Sequence, residues 1–120
     1  MALKSLGVIG SGAIAAPMLE AVARNIPKPI ERLSVLTLPA VAEGARALVE
    51  RNGARIAKTS EVFTDADAFF AQRYDLVVEC AGHAAVKAYG GRVLATGTDL
   101  LVVSIGSLTD DTLRNALRDA

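Results

Sequence analysis

The chain is 120 residues long, which fits one compact domain, and 52% of it is apolar while only 4% is aromatic. Its 13 Lys and Arg balance 13 Asp and Glu, with no basic cluster beyond what a solvated helix face carries, and that argues against nucleic acid as the main partner. One cysteine excludes an internal disulfide, no Cys/His set has zinc-ligand spacing, and no apolar stretch is long enough to cross a membrane, so the expectations are no metal, no membrane and a soluble cytoplasmic protein.

The N-terminus reads as a core strand, because it lacks the long apolar region and small-residue cleavage site of a signal peptide. Leu3 to Ile9 is a short apolar run that ends in Gly10-Ser11-Gly12 and opens into a helical pattern. A strand, a glycine-tight turn and a helix N-terminus together present bare N–H groups to a phosphate. Gly10 would allow the tight turn, and Gly12 would let a pyrophosphate approach the main chain without meeting a β carbon. Ala15 stands where Gly-x-Gly-x-x-Gly has its third glycine, and is small enough to keep helix and strand close.

Ala13 to about Arg24 has apolar residues at spacings of three and four and is a predicted helix. Pro17, just past its first turn, should cost a backbone hydrogen bond or bend it. Asn25 to Pro29 is a loop by composition, and Leu33 to Leu38 is a second strand that Pro39 forbids from simply continuing. Ala40 to Asn52 reads as a helix with Gly53 as its left-handed stop, followed by a short third strand at Arg55 to Lys58. Thr64 with Asp67 looks like a helix start, and Asp65 to Gln72 presents Phe69 and Phe70 for packing. Leu76 to Cys80 is a fourth strand, and a helix follows to about Ala95, interrupted or bent at Gly90-Gly91 and ended by Gly97. Leu100 to Ser104 is a fifth strand, closed by Gly106, and Thr109 caps a final helix.

Strands alternating with helices imply parallel βαβ units with right-handed crossovers, and near-continuous apolar strands imply a sheet covered on both faces. The predicted fold is therefore α/β: a Rossmann-like, doubly wound, mostly parallel sheet in three α/β/α layers. The last helix stops at Ala120 with no following sixth strand, so residues 1–120 are expected to be a dinucleotide-binding domain cut from the N-terminal part of a longer two-domain dehydrogenase.

Ligands of open parallel sheets lie beyond the carboxyl ends of the strands, where strand order reverses. Gly10, Ser11, Gly12, Ala13 and Ile14, then Leu38, then Ala81, Gly82 and His83, with Ser104 nearby, are expected to meet there around NAD or NADP. The first group would hold the pyrophosphate. The residue closing the second strand normally contacts the adenosine ribose, where a carboxylate selects NAD. Thr37-Leu38-Pro39 offers no carboxylate and no following Arg, so the preference between NAD and NADP stays open. Ala81, Gly82 and His83 would line the nicotinamide-ribose pocket. No catalytic residue is assigned: His83 is the first residue of a helix with no carboxylate placed to orient it, and Cys80 reads as a small buried residue. Glu79, the last residue but one of an apolar strand, either bonds N–H groups of neighbouring loops or emerges at the sheet edge.

Val78 to Val86, followed by Gly97 to Leu108, together with Gly7 to Ile14, resemble the L-aspartate dehydrogenase family over essentially the whole chain. Homoserine dehydrogenases share the layout but match the two later segments less well. The resemblance implies an enzyme that oxidises L-aspartate with NAD or NADP, through iminoaspartate, to oxaloacetate and ammonia, with a role in nicotinamide-cofactor biosynthesis. It also implies that the substrate pocket, the catalytic histidine and most of a homodimer interface belong to a C-terminal domain that these 120 residues lack, so that this chain alone is inactive. Two other readings compete: another dehydrogenase with a similar cofactor domain, such as a homoserine dehydrogenase-like enzyme, and a non-catalytic nucleotide-sensing module. An S-adenosylmethionine-dependent methyltransferase, which shares the alternating α/β order, is disfavoured by Leu38-Pro39, where an acid is usual.

Overall fold

The computed structural model describes residues 3–10, 15–80 and 83–102. Five strands and four α-helices alternate along them: β1 (Ser5–Ile9), α1 (Ala15–Asn25), β2 (Ile30–Leu36), α2 (Ala42–Ile56), β3 (Ala57–Phe63), α3 (Ala66–Phe70), β4 (Leu76–Glu79), α4 (His83–Ala95) and β5 (Asp99–Val102). The strands form one sheet in the order β3-β2-β1-β4-β5, every neighbouring pair parallel. This is the Rossmann-like arrangement that the alternation of apolar runs and helical patterns predicts.

Side-chain alternation along the strands divides the core in two. Leu6, Val8, Leu33, Val35, Val78 and Cys80 point to one face, where Ala15, Leu19 and Ala23 of α1 and Leu48 and Ile56 of α2 cover them. Ile9, Leu36 and Val77 point to the other, under Phe69 of α3, Tyr74 and Val93 of α4. Full burial of each Leu, Val or Phe contributes about 1.5–3 kcal/mol of transfer free energy, and this is what holds the three layers together.

Several boundaries differ from the sequence expectations. β2 begins at Ile30, because residues directly after Pro29 already pair with Ala57 and Thr59 of β3. Between β2 and α2, Pro39–Val41 forms a single 3₁₀ turn with the proline near its start, where a missing N–H costs nothing. α2 runs through Gly53, which is buried in the helix and has no left-handed backbone. Its role is close approach: a β carbon there would lie 2.7 Å from Ser60 Oγ on β3. Residues Arg55 and Ile56 are therefore helical, and the third strand occupies Ala57–Phe63. α3 is capped by Asp65, whose carboxylate accepts from the Asp67 N–H at 3.0 Å, in place of Thr64. α4 is continuous across Gly90-Gly91, and Gly97 at φ 77° turns the chain after it, as its glycine suggests. Pro17 is the third residue of the described α1, within its first turn, where helices tolerate proline. The expected end of the fifth strand at Ser104, Gly106 and the helix after Thr109 lie outside the described residues.

Candidate functional site

The last residues of the strands lie in one row across the sheet. Phe63 pairs with Leu36, Leu36 with Ile9, Ile9 with Glu79, and Glu79 with Val102. α1 leaves β1 toward one face while α4 leaves β4 toward the other. Chain direction thus diverges between β1 and β4, and it is beyond such a point that open parallel sheets form their ligand crevice.

Gly10 begins the turn out of β1. It is buried and has φ 108°, a conformation an L side chain adopts only with strain. Its N–H donates to the Leu36 carbonyl at 2.8 Å, which ties the turn to the end of β2. Gly10 therefore shapes the turn, and donors for an anion above it must come from the residues that follow. The end of β2 is also tied down, since the Thr37 N–H donates to the Phe63 carbonyl at 2.9 Å and Thr37 is buried. Leu38, by contrast, is 72% exposed and Val41 is 50% exposed, so this corner presents apolar surface. No carboxylate lies between Thr37 and Ala42.

On the other side of the crevice the Cys80 N–H donates to the Ile9 carbonyl at 2.9 Å, which extends the β1–β4 pairing past the strand. The Cys80 thiol is buried, and burial first and negative charge on Glu79 second push it up to about 11. A thiol so rarely ionised is a poor nucleophile, in agreement with the structural reading of Cys80. Glu79 is 1% exposed and belongs to a central strand, so it does not emerge at the sheet edge. It shares the row and face of Ile9 and Leu36.

His83 is the first residue of α4, as expected. Ser11, Gly12, Ala13, Ile14, Ala81, Gly82 and Ser104 lie outside the described residues. The structure therefore brings together Gly10, the end of β2 before Leu38, and the end of β4 before Ala81. Among the described residues no group of three or more His, Cys, Asp or Glu could hold a metal ion, and no helix is long and apolar enough to cross a membrane.

A recess at the opposite, amino end of the sheet is lined by Ser5, Gln72, Asp75, Thr96 and Thr98. Its polar groups are largely spent within the fold. Asp75 accepts from the Lys4 and Ser5 N–H groups at 2.7 and 3.1 Å, and Thr96 Oγ1 donates to the Val93 carbonyl at 2.8 Å.

Residues 10–120 match the family described as "Homoserine dehydrogenase, NAD binding domain". An L-aspartate dehydrogenase 1 of Bordetella pertussis is 36% identical over 115 residues, which are 96% of this chain and 39% of that protein. The chain thus spans well under half the length of that relative. Among solved structures, a myo-inositol dehydrogenase from Corynebacterium glutamicum superposes with a TM-score of 0.69 at 19% identity, covering 97% of this chain and 33% of that one. GenD2 from gentamicin A biosynthesis, solved in complex with NAD, gives a TM-score of 0.64 at 20% identity, covering 97% of this chain and 32% of that one. At such identities the two structures establish the fold alone. The sequence comparisons go further: the chain belongs to the family of the homoserine dehydrogenase NAD-binding domain and is homologous to the L-aspartate dehydrogenases.

Proposed function

We propose that the chain binds NAD or NADP across the β1–β4 crevice and supplies the cofactor-holding part of an oxidoreductase that acts on the amino group of L-aspartate. The observation that carries this reading is Gly10: a buried glycine at φ 108° at the carboxyl end of β1, beside the point where strand order reverses. A turn without a β carbon in that place admits a pyrophosphate against the main chain. Ser11, Gly12, Ala13 and Ile14 would hold it, on the turn that Gly10 shapes. Leu38, with the exposed apolar surface that continues to Val41, would lie against the adenosine. Ala81, Gly82, His83 and Ser104 would surround the nicotinamide ribose.

The cofactor, when bound, accepts the hydride from the amino-bearing carbon. The chain's own part is to fix the dinucleotide in place and keep its ring oriented, and no catalytic residue is assigned to it. The corner after β2 has neither a carboxylate to repel a 2′-phosphate nor an Arg directly following to attract one. Choice of L-aspartate is supported by the 36% identity to the Bordetella pertussis enzyme. The description of the matching family favours a second reading, a homoserine dehydrogenase-like enzyme.

Calorimetric titration of the chain with NADH and with NADPH tests the cofactor reading. Dissociation constants within roughly tenfold of each other are expected, a difference of no more than about 1.4 kcal/mol. Absence of binding by both contradicts it. Substrate choice is tested by supplying L-aspartate or L-homoserine with NAD to the gene product and following NADH absorbance; formation with L-homoserine alone would favour the second reading.

A further inference from the structure

We draw no further inference here: the strongest candidate, the recess at the amino end of the sheet lined by Ser5, Gln72, Asp75, Thr96 and Thr98, carries nothing, because its polar groups are largely bonded within the fold and nothing in the structure shows what would occupy it.

Discussion

Gly7 lies so close beneath Phe69 that a β carbon added to it would stand 2.9 Å from Phe69 Cζ, with two Tyr74 ring atoms at 3.2 Å. The two rings stack with centroids 4.7 Å apart, and the missing side chain in the middle of β1 is what gives them room. Gly7→Ala is expected to cost about 1–3 kcal/mol, because the rings must move inside a packed layer. Urea denaturation checks this; a variant as stable as wild type would mean the layer is loosely packed.

Tyr74 also donates its hydroxyl to the Phe69 carbonyl at 2.7 Å, which fixes the turn after α3. Tyr74→Phe should lose about 1 kcal/mol, since the Phe69 carbonyl loses its hydroxyl donor and keeps the longer bond from the Gln72 N–H at 3.2 Å. Burial is the first cause that raises the Tyr74 phenol above 10.0. Its contribution to stability is thus present below that value and lost as pH rises through the higher folded-state value. Wild-type stability should decline above pH 10 more steeply than that of Tyr74→Phe, as denaturation midpoints across this range would show.

At the amino end of the sheet, the Asp75 carboxylate accepts from the N–H groups of Lys4 and Ser5 and joins the start of β4 to the start of β1. These two backbone bonds, Lys4 first, hold its carboxyl below the ordinary 3.8. The stabilisation is present above that value and disappears as pH falls through the lower folded-state value. Asp75→Asn should therefore be less stable than wild type at neutral pH and lose less on acidification below pH 4. Parallel acid titrations of the two proteins by circular dichroism read the difference.

Much of this architecture is legible in the residues themselves. Ser5 to Ile9 and Leu76 to Glu79 are apolar runs bounded by turns, and Gly10 and Gly97 do adopt the positive φ their turns require. What escaped are features that depend on contacts distant in sequence. Gly53 looks like a helix stop, yet its glycine answers to Ser60 across the α2–β3 junction. β3 carries Lys58, Thr59, Ser60 and Glu61 because it is an edge strand, and such polar residues hide a strand from any reading by apolar runs. Gly7, Phe69 and Tyr74 meet only when β1 and β4 pair. At the crevice, the glycine turn was readable and the burial of Glu79 was not, because whether a strand is central or at the edge is a property of the whole sheet.

Cys80 supplies a chemical check on the crevice wall. Its thiol stands at about 11 against an ordinary 9.0, so at pH 8 its thiolate fraction is about a hundredfold below that of a free thiol. Alkylation by iodoacetamide at pH 8 should be at least about a hundredfold slower in the folded chain than in denaturant. Mass spectrometry of timed aliquots follows the reaction, and rapid labelling of the native chain would place Cys80 outside the core.

The central claim, that a dinucleotide lies over the carboxyl edge of the sheet between β1 and β4, is tested most directly by amide NMR of the ¹⁵N-labelled chain titrated with NADH. Perturbations should concentrate at Gly10, Leu38, Glu79 and Cys80 and leave Ser5, Asp75 and Gly97, at the opposite edge, in place. Perturbations confined to that opposite edge, or none at saturating NADH, would contradict it.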